Sequence, residues 1–166
     1  KIDILVNSAG SDLFLKRFLD VSREEGMRMI ALYFCGPLNA VRSVLNYCYK
    51  PKKIIDVLSH AAYKNFPGNA YYGGAKAANM LASKSISQEH PEVDFYRIYP
   101  AAVDTQMVEN DPILMKIPKE GRVKPDDIAD LVIDMIAGKI DEKDVEIMRE
   151  NGRSVRKKVI ISRENI

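Results

Sequence analysis

Short apolar runs alternate with amphipathic stretches along this chain. Residues 2–6 form an apolar run that ends in Asn7-Ser8-Ala9-Gly10, the pattern of a buried strand followed by a tight loop. From Ser22 the apolar positions fall at helical spacing, through Met27, Ile30, Leu32, Phe34, Leu38, Val41 and Leu45. Ser22 and Glu25 have the spacing of a capping box, and Gly36-Pro37 inside this stretch predicts a kink or a division. Residues 53–58 read as a second strand with Ser59 at its C-terminal end. Pro67-Gly68-Asn69 predicts a turn, with Asn69 as N-cap of a helix from Ala70 to about Gln88. Residues 93–99 read as a third strand stopped by Pro100. Residues 101–119 are loop-like apart from the apolar patch 113–115. Pro125-Asp126-Asp127 opens a further helix to about Ala137, its acidic residues placed where the helix dipole favours them. Residues 144–148 are the candidate last strand.

Strands alternating with helices predict an α/β fold, a parallel sheet with helices on both faces. In such sheets ligands bind beyond the C-terminal ends of the strands. The stretches 7–10, Ser59 and 100–105 each follow a predicted strand at that edge.

The chain has 166 residues, enough for one domain with a sizeable core. We assign it as a domain over 1–150 and a basic C-terminal extension over 151–166. A charged fraction of 29% spread over both signs, with net charge +2, argues for a soluble surface and against a nucleic-acid partner. The tail from Arg153 to Lys158 reads as a solvated strand or extension. No apolar run approaches bilayer-spanning length. Cys35 and Cys48 are isolated thiols without metal-ligand spacing, so a reduced, cytoplasmic protein with no metal site is expected.

The chemistry is concentrated at Tyr72 and Lys76. Four residues apart, they share one helix face, and Ser59 stands thirteen positions upstream of Tyr72. A free phenol titrates near about pH 10 and is a poor acid or base at neutrality. An ammonium about 4 Å away, at an effective dielectric of about 20, is worth roughly 4 kcal/mol. That is enough to bring a phenol to near pH 7. Proton transfer to or from a carbonyl or alcohol oxygen is the implied chemistry.

These residues, in this order, resemble the short-chain dehydrogenase/reductase family, its shorter-chain branch. Asn7-Ser8-Ala9-Gly10 is similar to the family's Asn-Asn-Ala-Gly loop, in which the Asn steadies the sheet and the backbone passes close to the cofactor. The resemblance implies that Ser59, Tyr72 and Lys76 are catalytic: Ser59 orients the substrate oxygen, Tyr72 is the acid/base, and Lys76 tunes it and holds the nicotinamide ribose. It places Asn7, Ala9, Gly10, Tyr72, Lys76, Pro100, Val103 and Thr105 at the cofactor, NAD or NADP. It also implies the later part of a Rossmann-like doubly wound sheet (three-layer α/β/α), hydride transfer with a small-molecule carbonyl or alcohol, and a mobile lid after Thr105. A homo-oligomer, dimer or tetramer, would form through the helices of 22–48 and 70–88.

The departures matter as much. The family's first strands and glycine-rich phosphate loop have no counterpart here, so the chain reads as the later part of a longer protein. Alone it is expected to hold a dinucleotide weakly and, through an exposed apolar edge, to self-associate. Tyr33 stands where the family has Asn, Ala101 follows Pro100 where Gly is usual, and Gly73-Gly74 separates Tyr72 from Lys76. Two alternatives stay open: a degenerate family member serving as a binding or oligomerisation scaffold, and the longer epimerase/dehydratase branch, which shares Tyr-x-x-x-Lys.

Overall fold

The computed structural model describes residues 1–11, 15–48 and 51–159. Five strands form one sheet in the order β1 (Ile4–Asn7), β2 (Lys53–Val57), β3 (Asp94–Pro100), β4 (Asp144–Glu150) and β5 (Arg153–Lys158). The first four are parallel, and β5 returns antiparallel along β4. The expected α/β architecture is therefore present, as a mostly parallel, Rossmann-like doubly wound sheet.

The pleat explains both faces. On β2, Ile54 packs with Val41, Val93 and Phe95 under the helices α2 (Gly36–Tyr47) and α3 (Ala70–Glu89). Its neighbour Ile55 points the other way, into Tyr96, Ile98, Leu131, Met135, Val145 and Ile147 beneath α5 (Pro125–Ile136). Alternate side chains enter opposite cores, as a strand's period of two requires.

One row on the α3 face is polar. Asn7, Asp56, Arg97 and Asp144 stand abreast across the four parallel strands. Asn7 Nδ2 donates to Asp56 Oδ1 at 2.7 Å, and the Ser83 hydroxyl on α3 donates to Asp56 Oδ2 at 2.6 Å. Arg97 makes a two-pronged contact with Asp144 at 2.8 and 3.1 Å, and Tyr99 donates to the same carboxylate at 2.6 Å. Buried charges persist only when paired in this way.

Three local expectations are corrected. The first strand begins at Ile4 rather than residue 2. The helical stretch from Ser22 runs through α1 (Arg23–Ile30), with both arms of the capping box, into one π turn (Ala31–Cys35) and then α2. Pro37 has no N–H to donate and its ring crowds the carbonyl four places back, so the helix widens and the Gly36 N–H reaches back to Ala31. Asn69 occupies the cap position of α3, but its side chain makes no capping bond. Its amide donates instead to the carbonyls of Ala61 and Lys64 at 3.3 and 3.4 Å.

The basic stretch becomes β5 through a turn at Asn151 and Gly152, whose φ values are 50° and 74°. Residues 160–166 of the assigned extension lie outside the described residues.

Candidate active site

At the C-terminal edge of the sheet, the loops after β1, β2 and β3 enclose a cavity of about 700 Å³. Ser59, Tyr72 and Lys76 all line it, with Ala9, Gly10, Pro100, Val103 and Thr105. Eight of the nine candidate site residues thus share one space. The ninth, Asn7, is absent from that lining and is turned into the sheet against Asp56.

Each element delivers its side chain for a local reason. Ser59 stands two residues past the end of β2 and accepts from the Ala61 N–H at 3.1 Å, capping a single 3₁₀ turn (His60–Ala62). Helix α3 packs straight onto that turn. A Cβ at Gly73 would lie 2.2 Å from Asn69 Nδ2 and 2.8 Å from the Ala61 carbonyl. Only glycine permits that approach, which sets Tyr72 beside Ser59. Gly74, next along, faces open space. Tyr71 lies outside the cavity lining, stacked on Phe18 at 5.9 Å and lying over Gly26.

The electrostatics differ from the expectation. Burial pushes the Tyr72 phenol up to about 12, with Ser59's hydrogen bond opposing it and Tyr33 adding to the rise. Burial also brings the Lys76 ammonium down to about 8, against the pull of Asp56. Lys76 Nζ donates to the Val57 carbonyl at 3.0 Å and lies 6.0 Å from the Tyr72 ring centre. Desolvation of the phenol outweighs the hydrogen bond with Ser59, so the expected depression of Tyr72 towards neutrality is not present in this structure.

Tyr33 occupies the wall between them. Its ring meets Tyr72 edge-on at 4.9 Å, and Lys76 Nζ stands 5.1 Å above its face.

The segment after Thr105 forms a cover. Thr105 stands at the N-cap position of the short helix α4 (Gln106–Asn110), its hydroxyl donating to the Val103 carbonyl at 3.3 Å, and Val103 bridges to Val123. Asp111, buried, accepts from the amides of Leu15, Ile113 and Leu114 at 2.8 to 2.9 Å. Arg122, also buried, donates to Asp104, Glu109 and the carbonyls of Met115 and Ile117. Sequence reasoning singled out neither, because a lone Asp and a lone Arg in a loop carry no spacing signal. Opposite the cover, His60 Nε2 lies 2.6 Å from Glu146, which also pairs with Lys64. Burial, with Lys64 adding, brings the His60 imidazole down to about 4, more than Glu146 raises it.

Fold and site together define a doubly wound α/β protein that holds a Ser–Tyr–Lys constellation at its ligand edge. The family's sequence model, short chain dehydrogenase, matches residues 1–113, and the chain belongs to that family of oxidoreductases. Among curated relatives, a 3-oxoacyl-[acyl-carrier-protein] reductase of Synechocystis sp. is 31% identical over 138 residues, which are 78% of this chain and 55% of the relative. Among solved structures, an alcohol dehydrogenase of the archaeon Thermococcus sibiricus, complexed with 5-hydroxy-NADP, aligns with TM-score 0.76 at 24% identity. That alignment covers 91% of this chain and 64% of the other. A 3-ketoacyl-(acyl-carrier-protein) reductase from Brucella melitensis, complexed with NADH, aligns with TM-score 0.75 at 24% identity, over 88% of this chain and 66% of the other. The chain spans about half the length of the curated relatives it matches. Among the described residues, no helix is long and apolar enough to cross a membrane.

Proposed function

We propose that this chain carries the catalytic portion of an NAD(P)-dependent short-chain oxidoreductase acting on a small-molecule carbonyl or alcohol. The observation that carries the reading is the meeting of Ser59, Tyr72 and Lys76 on one cavity whose other walls include the loops 8–10 and 100–103. Relatives and structural neighbours named as reductases and dehydrogenases, several complexed with NADP or NADH, support it.

The residues present fit the nicotinamide end of such a cofactor. Among the described residues, Lys76 Nζ makes one hydrogen bond, to Val57, and keeps donors for a hydroxyl in the cavity. Ala9 and Gly10 border the same space, and a Cβ at Gly10 would press on Met107 at 3.3 Å. The described residues offer no glycine-rich strand-to-helix turn for the pyrophosphate. Lys76, Ala9, Gly10, Pro100, Val103 and Thr105 would hold the nicotinamide and its ribose; Asn7 contributes by fixing the β1 loop on Asp56.

When bound, the nicotinamide supplies or accepts the hydride. Tyr72 stands as a neutral phenol at physiological pH and donates its proton to the substrate oxygen as a carbonyl is reduced. Ser59 orients that oxygen by hydrogen bonding. Lys76, charged at pH 7, favours negative charge developing in the cavity. The segment 104–123, clamped by Asp111 and Arg122, excludes water from it.

The test is reduced-cofactor consumption over a panel of carbonyl compounds, using the full chain. Tyr72→Phe is expected to lower kcat by about 10²- to 10⁴-fold while leaving the melting temperature within a few degrees. Equal turnover by Tyr72→Phe would overturn the assignment.

A second reading, a scaffold that outlives catalysis, is favoured by the exposed apolar side chains Met27, Tyr47 and Leu81 on α1, α2 and α3. The same faces would serve a homo-oligomer of the active protein.

A further inference from the structure

Tyr33 is 2% exposed and sits in the π turn, a helix irregularity found often at functional sites. Polar and aromatic contacts meet on it. Its hydroxyl donates to the Ser11 carbonyl at 2.6 Å and accepts from the Ser11 N–H at 3.2 Å. Its ring face carries Lys76 Nζ at 5.1 Å, and its edge meets Tyr72 at 4.9 Å. Gly10, next to Ser11, lies against the same ring, so that a Cβ there would come within 3.6 Å of Tyr33 Cε1. A two-way hydrogen bond to one residue's backbone fixes a loop in register, and an aromatic face steadies a desolvated cation.

We infer that Tyr33 is a positioning residue of this site: its ring steadies the Lys76 ammonium while its hydroxyl pins the backbone of Ser11. One side chain thereby fixes the loop that borders the cavity and the cation inside it. The inference rests on the reading of Lys76 as the site's working cation. The groups that face Lys76 are few. Tyr72 lies on its own helix, Tyr33 on the π turn, and Asp56 on β2 acts through its charge. Of these, Tyr33 is the one whose hydroxyl bonds the Ser11 backbone.

The two functions separate by substitution. Tyr33→Phe keeps the ring and deletes the hydroxyl; Tyr33→Leu deletes both. In the ¹³C-labelled full chain, the Lys76 side-chain carbons are titrated by NMR, with Lys76→Met supplying the assignment, and hydrogen exchange is followed at the Ser11 amide. Tyr33→Phe is expected to leave the Lys76 midpoint in place while Ser11 exchanges about tenfold faster or more. Tyr33→Leu is expected to lower the midpoint by about half a unit to one and a half units. If Tyr33→Leu does not fold, Tyr33→Met, which also lacks a ring, gives the same measurement. An unmoved Lys76 midpoint without the ring overturns the inference, and so does unchanged Ser11 exchange in Tyr33→Phe. Absence of turnover in the unsubstituted chain would remove the oxidoreductase reading, whereas titration and exchange test Tyr33 on their own.

Discussion

At pH 7 the Tyr72 phenol is un-ionised and the Lys76 amine is charged, because both share a largely apolar wall that resists any further charge. The sign of the resulting pH dependence is fixed. Lys76 titrates at about 8 when folded, against 10.5 for an unperturbed lysine, so between those limits the unfolded chain binds more protons and stability rises with pH. Tyr72, raised to about 12 from 10.0, is stabilising in its protonated form and loses that contribution only above about pH 10. Between pH 8 and 10 the Lys76 effect therefore stands alone. Denaturant unfolding of the native chain and Lys76→Met across that window should show the native chain gaining, with a slope of at most about 1.4 kcal/mol per pH unit. A flat difference would mean that Lys76 is better solvated than the structure shows. A second contrast concerns the adjacent glycines. Gly73→Ala is expected to destabilise by about 1–3 kcal/mol through overpacking against Asn69 and Ala61. Gly74→Ala, in open space, should be neutral or stabilise by up to about 1 kcal/mol. Thermal denaturation of the two variants gives the comparison directly.

The elements were legible in the sequence wherever burial imposed a period. Residues 53–58 and 93–99 read as strands because both of their faces are covered, and Ser22 with Glu25 announced the start of α1. What escaped was geometry set by contacts distant in sequence. Asn69 reads as a cap by residue type, yet the turn after Ser59 competes for its amide and wins. Gly36-Pro37 reads as a kink or a division, and the chain answers the missing Pro37 N–H by widening into a π turn between α1 and α2. The hairpin at Asn151-Gly152 was within reach: two adjacent residues suited to positive φ are the standard signal for a two-residue turn, and the charge of the following stretch masked it. At the site, order and spacing pointed to Ser59, Tyr72, Lys76 and loop residues at one sheet edge, and all of them but Asn7 line one cavity there. The direction of the Tyr72 shift was not legible, since spacing gives a distance along a helix and says nothing of desolvation. The polar row across the strands makes a further prediction. Asp144→Ala leaves Arg97 buried without its carboxylate and should destabilise by about 3–5 kcal/mol. Replacing Arg97 and Asp144 together by apolar residues of similar volume should recover most of that, as equilibrium unfolding would show.

At the scale of the molecule, the two edges of the sheet differ in character. On one side β5 presents Arg153, Arg156, Lys157 and Lys158, with Arg156 and Lys157 paired to Asp134 and Glu150, a charged border that discourages strand addition. On the other side β1 carries Val6, 40% exposed, and no comparable charge. Association is therefore expected at β1 or across α1 to α3, and light scattering of the full chain should report at least a dimer. A monodisperse monomer with a cooperative melt would count against both surfaces. The hairpin has a practical corollary as well. Because β5 reverses direction, the backbone returns to the rear of the sheet, where the Val159 N–H bonds the Asp144 carbonyl. A fluorophore or surface tether attached at Lys158 would stand at the end of the molecule away from the cavity mouth, so immobilised protein would keep its entrance open to dissolved compounds.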